Sequence, residues 1–77
     1  MITIDYKGCQ IKFSIYQVGK GHAMEGRWVF GEYSIGVSSG DAYTETQFCY
    51  EPRFADTEEM ATQETIKLGM STIGEKF

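Results

Sequence analysis

Residues 54–74 form the only stretch of the chain with the periodicity of a helix. Asp56 is a favourable N-cap residue, and Glu59 stands three positions later, which is the spacing of a capping box. At 100° per residue, one face of this stretch gathers small and apolar side chains, and the opposite face is polar. We therefore predict one amphipathic helix that begins at Asp56 and ends near Gly74.

Gly69 lies in the middle of the apolar side of this predicted helix. A glycine inside a helix costs about 1 kcal/mol relative to alanine. A physical reason to keep it is close approach of the helix to a sheet, and we expect an aromatic ring above it. In the alternative interpretation the helix ends at Gly69.

The chain before the helix has the alternation of strands. Apolar residues alternate with polar ones over residues 2–7, and the alternation resumes in the opposite phase after Gly8, over residues 9–18. The change of phase across Gly8 predicts a tight turn or a bulge. We interpret residues 2–7 as a short opening strand and residues 9–18 as the first main strand.

Two further main strands are predicted over residues 27–37 and 42–51. Gly31 stands where the apolar side of the first of them changes, which predicts a bulge or a strong twist, and Pro52 is expected to end the second. The glycine-rich residues 19–26 are predicted to form a loop, and we expect this loop to be the most mobile segment of the chain. The predicted fold is α+β, a three-stranded antiparallel meander (β-β-β-α) with one C-terminal helix packed on one face, in a single domain spanning residues 1–77.

No pattern in the sequence indicates catalysis. His22 is the only histidine and lies in the glycine-rich loop without a partner that would make it a base. Cys9 and Cys49 are too few for a metal site, and we expect two reduced thiols, with a cross-strand disulfide as the alternative. We predict a protein that is not an enzyme and that binds no cofactor or metal.

Aromatic residues make up 14% of the chain, and one helix can cover only one face of the sheet. We therefore expect some of Tyr16, Trp28, Phe30 and Tyr43 to lie on the uncovered face, as a candidate interaction surface for a second copy in a homodimer. The alternative is a sheet with scattered exposed rings, which is ordinary. The function predicted is a protein-interaction or assembly module that self-associates through its sheet.

Charge separates the two halves of the chain, whose formal net charge is −4. Acidic residues dominate residues 41–64, where Arg53 is the only basic residue, so a phosphate backbone would be repelled and nucleic acid is not an expected partner. The candidate acidic surface comprises Asp41, Glu45, Glu51 and Glu58. It suggests an alternative function, an antitoxin- or immunity-type inhibitor that binds a basic protein partner.

No run approaches the roughly 20 apolar residues of a membrane span, and the N-terminus lacks the basic and apolar regions of a signal peptide. We therefore predict a cytoplasmic protein that does not bind a membrane.

Gly8, the strand around Trp28, and the segment Phe54-x-Asp-Thr-Glu-Glu-x-Ala61 through Gly69 together resemble small uncharacterised bacterial β-β-β-α domains. These resemble in turn the partial RNase H-like fold of HicB antitoxins, in which a strand meander leads into a helix. Met60 departs from the usual residue before Ala61, and the chain is expected to lack the DNA-binding extension of many antitoxins. The resemblance implies the fold and no particular activity, since a fold alone does not determine function.

Overall fold

A computed structural model describes all residues 1–77 and contains five strands followed by one helix. The elements are β1 (Ile2–Tyr6), β2 (Cys9–Phe13), β3 (Tyr16–Gln17), β4 (Trp28–Ser39), β5 (Ala42–Ala55) and α1 (Glu58–Lys76). The α+β class and the C-terminal helix are confirmed. The strand count is corrected from three to five, because the opening strand joins the sheet and the predicted strand over residues 9–18 is interrupted between β2 and β3.

The sheet is antiparallel throughout, and β4 is its central strand. Both β2 and β3 pair with one edge of β4, β5 pairs with the other edge, and β1 pairs with the outer side of β2. Successive long strands are therefore neighbours, as the predicted meander requires. The outer strands of the sheet are β5 on one side and, on the other side, β1 and the two-residue β3.

The change of phase after residue 7 is a two-residue hairpin turn. Tyr6 pairs with Cys9, and Lys7 and Gly8 between them both have positive φ, 49° and 79°. Two successive positive φ values match the right-handed twist of the flanking strands. Of the two alternatives for Gly8, the tight turn is the one observed.

The predicted bulge at Gly31 is confirmed. Phe30 pairs with Arg53 and Glu32 with Cys49, so residues 50–52 of β5 lie opposite Gly31 alone. Gly31 has φ 134°, which favours glycine, and a Cβ there would lie 3.1 Å from the Glu51 carbonyl oxygen. Pro52 lies in this bulge and, contrary to our prediction, does not end the strand, because the outer strand of a sheet tolerates a missing N–H.

Helix α1 packs on one face of the sheet, mainly against β4. The main core cluster contains Cys9, Ile11, Phe13, Tyr33, Ile35 and Ile73. Gly69 is buried, and a Cβ at this position would lie 2.7 Å from Cγ2 of Ile11. The predicted close approach is therefore confirmed, but the residue above Gly69 is an isoleucine and not an aromatic residue.

The ends of the helix differ from the prediction. The N-cap is Thr57, whose backbone is extended (φ −133°, ψ 157°) and whose side chain accepts a hydrogen bond of 3.1 Å from the Met60 amide. Asp56 lies one residue earlier and pairs with Arg27 at 3.7 Å. The helix continues through Gly74 to Lys76, so Gly74 does not end it. Glu58 and Glu59 occupy the first turn, where the positive end of the helix dipole stabilises their negative charges.

Replacing Thr57 with alanine should lower the free energy of unfolding by about 1 kcal/mol, because the Met60 amide loses its acceptor. Replacing Asp56 with alanine is the matched control and should change stability by less than about 0.5 kcal/mol, because its ion pair with Arg27 is exposed. Urea denaturation of both variants measures the difference. A larger loss for Asp56→Ala than for Thr57→Ala would contradict this assignment of the cap.

The molecule is elongated, measuring 48 × 19 × 18 Å, with a radius of gyration of 13.7 Å. A globular chain of this length is expected to have a radius of gyration of about 11.5 Å. The accessible surface is 5187 Å², compared with roughly 4700 Å² for a monomer of this mass. The only helix lacks the combination of length and apolar character that crossing a membrane requires.

Candidate functional site

The face of the sheet opposite α1, called the open face below, is polar where β2, β4 and the regular part of β5 pair. Directly paired residues of neighbouring strands have their side chains on the same face of the sheet. The core residues Ile11, Tyr33 and Ile35 point toward α1, so the residues that alternate with them, and their pairing partners, lie on the open face. These open-face residues are Gln10, Lys12, Ser34, Gly36, Glu45 and Gln47. Over this part of the sheet the open face therefore lacks the apolar character that face-to-face stacking of two sheets would use. Beyond the bulge, Val29 lies on the open face with its pairing partners Tyr16 and Phe54.

Glu45 is the centre of a polar cluster on the open face. Its carboxylate accepts hydrogen bonds from Ser34 Oγ at 2.7 Å and from the Tyr43 hydroxyl at 3.2 Å, and Lys12 Nζ lies 3.7 Å away. The hydrogen bond from Ser34 is the main reason that the pKa of Glu45 is lowered. The contact with Tyr43 is the main reason that the pKa of Lys12 is raised. Both residues are held in their charged forms, which suits a structural cluster better than proton transfer.

The Tyr43 ring lies across Gly36 on the same face. A Cβ at Gly36 would lie 2.0 Å from the Tyr43 Oη, and Lys12 Nζ stands 4.9 Å from the centroid of the ring. An aromatic side chain that covers a glycine in a neighbouring strand helps to fix strand register. Tyr43 therefore has a structural role within the sheet, although its side chain is still partly exposed.

Replacing Ser34 with alanine should raise the pKa of Glu45 toward its ordinary value, because the largest contribution to its lowering is removed. A lowered pKa in the folded state stabilises the fold above the unfolded-state pKa, and this contribution is lost as the pH falls through the folded-state value. Carboxyl-detected NMR titration measures the change, with Gln10→Ala on the same face as the control. An unchanged Glu45 pKa in Ser34→Ala would contradict the role given to this hydrogen bond.

The structure does not bring the predicted aromatic surface together. Phe30 is buried with Ala55 and Ala61, and Trp28 packs against the same cluster on the helix side of the sheet. Placing Phe30 on the uncovered face was wrong, and Trp28 also lies on the helix side. The reason is the bulge, since the alternation of β4 reverses at Gly31 and Trp28 and Phe30 then share the face that Tyr33 occupies.

Tyr16 and Tyr43 are the two members of this set that are largely exposed, at 63% and 47%. They pair with Val29 and Ser38, which are nine residues apart along β4. That separation is about 30 Å in a strand. The two tyrosines therefore belong to different ends of the sheet and cannot form one contact surface.

The predicted acidic residues are also dispersed. Asp41 lies in the turn between β4 and β5, Glu45 belongs to the cluster with Lys12, Glu51 lies in the bulge, and Glu58 stands in the first turn of α1. Asp41 and Glu58 lie beyond opposite ends of the 14-residue strand β5. No single acidic patch results, and the charge of Glu45 is offset by Lys12.

Two shallow depressions adjoin each other where β2 gives way to β3, and both are lined by Ser14, Tyr16 and Glu32. Their volumes are about 120 and 180 Å³. Sites for small molecules usually enclose about 300 Å³ or more. The depressions are therefore too small and too open to indicate a ligand.

The remaining reactive side chains lie apart. Cys9 is buried in the core and Cys49 is exposed on β5, and no disulfide joins them. His22 Nδ1 accepts a hydrogen bond of 3.0 Å from the Met24 amide within the glycine-rich loop. No three side chains of His, Cys, Asp or Glu lie close enough together to hold a metal ion.

The outer edge of β5 is the feature that the sequence reasoning missed. β5 pairs only with β4, so the backbone groups on its other side have no partner, and nearly all of its side chains are exposed. Its regular part, Ala42–Cys49, contains no proline, no lysine and no bulge, the devices that usually protect an outer strand. A threonine- and aromatic-rich run after a hairpin turn, without lysine or proline, is the signal that could have identified it.

The other outer strand is less available for pairing. β1 has five residues, and Ile2, Ile4 and Tyr6 pack against the main core cluster. Short length is itself a protection against pairing with another chain. Of the two edges of the sheet, β5 therefore offers the longer and less protected one.

No protein-family model matches this chain, and neither a curated protein nor a solved structure is significantly similar to it. The resemblance to the HicB-type fold stays a prediction.

Proposed function

We propose that this protein is a small bacterial, cytoplasmic interaction module that is not an enzyme and that forms a homodimer through its sheet. The observation that carries the proposal is the outer edge of β5 over residues 42–49, which is regular, exposed and without a lysine, a proline or a bulge. A free strand edge offers a row of backbone donors and acceptors that a second strand can satisfy. Association uses this edge, because the open face is polar along the regular part of β5 and the exposed Tyr16 and Tyr43 lie at different ends of the sheet.

The size of the surface supports association. The chain exposes more area than a typical monomer of its mass, and only 15 of its 77 residues are buried. A 77-residue domain also obtains little stability from its own core, and association is a common way to add to it. Pairing at β5 would cover backbone and side chains that the helix leaves exposed.

The alternative, an antitoxin- or immunity-type inhibitor of a basic partner, has weaker support. It requires one acidic surface, and Asp41, Glu45, Glu51 and Glu58 are distributed along the length of β5 and beyond it. Co-purification with a basic protein that protects these four residues from modification would favour it over self-association.

Light scattering over a range of protein concentrations tests the proposal. The native chain should approach twice the 8.7 kDa mass of one copy. Thr46→Lys should remain a monomer, because a lysine on an outer strand opposes pairing with another strand. Ser71→Lys, on the exposed side of α1, makes the same change of charge and should still dimerise. A native chain that stays monomeric at every concentration would overturn the proposal.

A further inference from the structure

We infer that two copies pair antiparallel along β5 in one register, with Thr46 facing its own copy across the two-fold axis; this inference rests on the proposed homodimer. In such a pair the two sheets become one continuous sheet with both helices on the same side. Directly opposite residues must share a face, so each candidate register is defined by the residue that lies on the axis. The charges and the bulge of β5 select among these registers.

Charge removes two of the candidates. With Glu45 on the axis, its carboxylate would face the same group of the second copy. With Phe48 on the axis, Glu45 would stand opposite Glu51 of the second copy. Like charges directly opposite each other destabilise a strand pair. Both registers are therefore disfavoured.

The bulge and the length of the regular segment select among the others. The ladder between β4 and β5 is regular from Ala42 to Cys49, and the bulge follows. With Gln47 on the axis, Thr44 would have to pair with Tyr50 inside the bulge. With Thr44 on the axis, only residues 42–46 could pair. With Thr46 on the axis, all of residues 43–49 pair within the regular segment.

The pairs made in this register are chemically compatible. Glu45 stands opposite Gln47, whose amide can donate a hydrogen bond to a carboxylate, and Thr44 stands opposite Phe48. A β-branched residue beside an aromatic residue is a favourable cross-strand pair. Tyr43 of one copy stands opposite Cys49 of the other. Each Cys49 is three residues from the two-fold axis, on opposite sides of it, so the two Cys49 residues are six residues apart along the paired strands. That offset is about 20 Å.

A cysteine placed on the axis tests the register. In Thr46→Cys with Cys49→Ser, the two introduced cysteines face each other at about 4.5–5.5 Å between Cα atoms, within the range of a disulfide. Mild oxidation should convert this variant almost completely to a covalent dimer on a non-reducing gel. The matched control is Thr44→Cys with Cys49→Ser, whose cysteines should be about 14 Å apart and should not join. The native chain should not form a disulfide-linked dimer through Cys49 either.

The outcomes separate this inference from the proposed function. Light scattering under reducing conditions first establishes that each variant is still a dimer. A dimer in which Thr44→Cys or native Cys49 cross-links as fast as Thr46→Cys overturns the register and leaves the proposed function standing. A dimer in which no variant cross-links overturns pairing along β5. A native chain that is only monomeric overturns both.

Discussion

Replacing Gly69 with valine should lower the free energy of unfolding by about 3 kcal/mol, although valine is the better helix former. A Cβ at this position would lie 2.7 Å from Cγ2 and 2.8 Å from Cδ1 of Ile11. Ile11 is fully buried and β-branched, so it has no space into which it can move. The helix would have to lift away from β2 and β4, which reduces contact across the core. Urea denaturation measures the loss.

Gly74→Val is the matched control for this prediction. Gly74 also lies inside α1, but no atom stands within 4 Å of a Cβ built there. Valine at position 74 should therefore change stability by a few tenths of a kcal/mol, in the stabilising direction that helix propensity gives. A double variant that combines Gly69→Val with Ile11→Ala should lose less than the sum of the single losses, because the overlap is removed. Strict additivity would show that the two residues do not meet.

Replacing Tyr33 with alanine should lower the free energy of unfolding by about 3–5 kcal/mol. Tyr33 is 1% exposed, and its ring stacks between those of Phe48 and Tyr50, with centroids 5.4 and 5.9 Å away. Its hydroxyl donates to Thr72 Oγ1, since the Thr72 hydroxyl itself donates to the Leu68 carbonyl at 2.9 Å. Tyr33→Phe keeps the ring and should lose only about 1 kcal/mol. Equal losses in the two variants would contradict the importance of the stack.

The same residue gives the fold a dependence on high pH. Burial raises the pKa of Tyr33 to about 12, against about 10 in the unfolded chain. The folded state therefore holds the phenol proton more tightly, and this contribution is complete below pH 10 and is lost as the pH rises toward 12. Denaturation measured across that range should show a fall in stability that is smaller in Tyr33→Phe. Tyr16→Phe, at an exposed tyrosine, should behave like the native chain.

The alternation of side chains was enough to predict the antiparallel meander, an irregularity at Gly8 and at Gly31, and the packing of α1 on one face. It left a tight turn and a bulge open at Gly8, and a bulge and a strong twist open at Gly31. The faces on which Trp28 and Phe30 lie could not be predicted from alternation, because the bulge reverses the alternation at Gly31. The sequence does not show whether the residues before Gly31 or those after it face the helix. The cap was misplaced by one residue, because Asp56 and Thr57 are both good N-cap residues and only the extended backbone at Thr57 decides between them.

The candidate site was less predictable than the fold. Exposed aromatic residues in a sequence suggest a face, but whether they converge depends on distances along β4 that alternation does not contain. The outer position of β5 is a property of the whole sheet, because it depends on which strands pair with β4. A local pattern can show that residues 42–49 contain no lysine or proline that would prevent pairing with another chain. Only the sheet topology shows that these residues form an outer strand, where such pairing is possible.

Hydrogen exchange of the backbone amides in residues 43–49, measured at low and at high protein concentration, tests the central claim most directly. In the monomer, only the amides that point toward β4 should be protected, so protection should alternate along this segment. At the higher concentration the intervening amides should gain protection, because they pair with the second copy of β5. A dimer whose intervening amides exchange as fast as they do in the monomer would contradict the account.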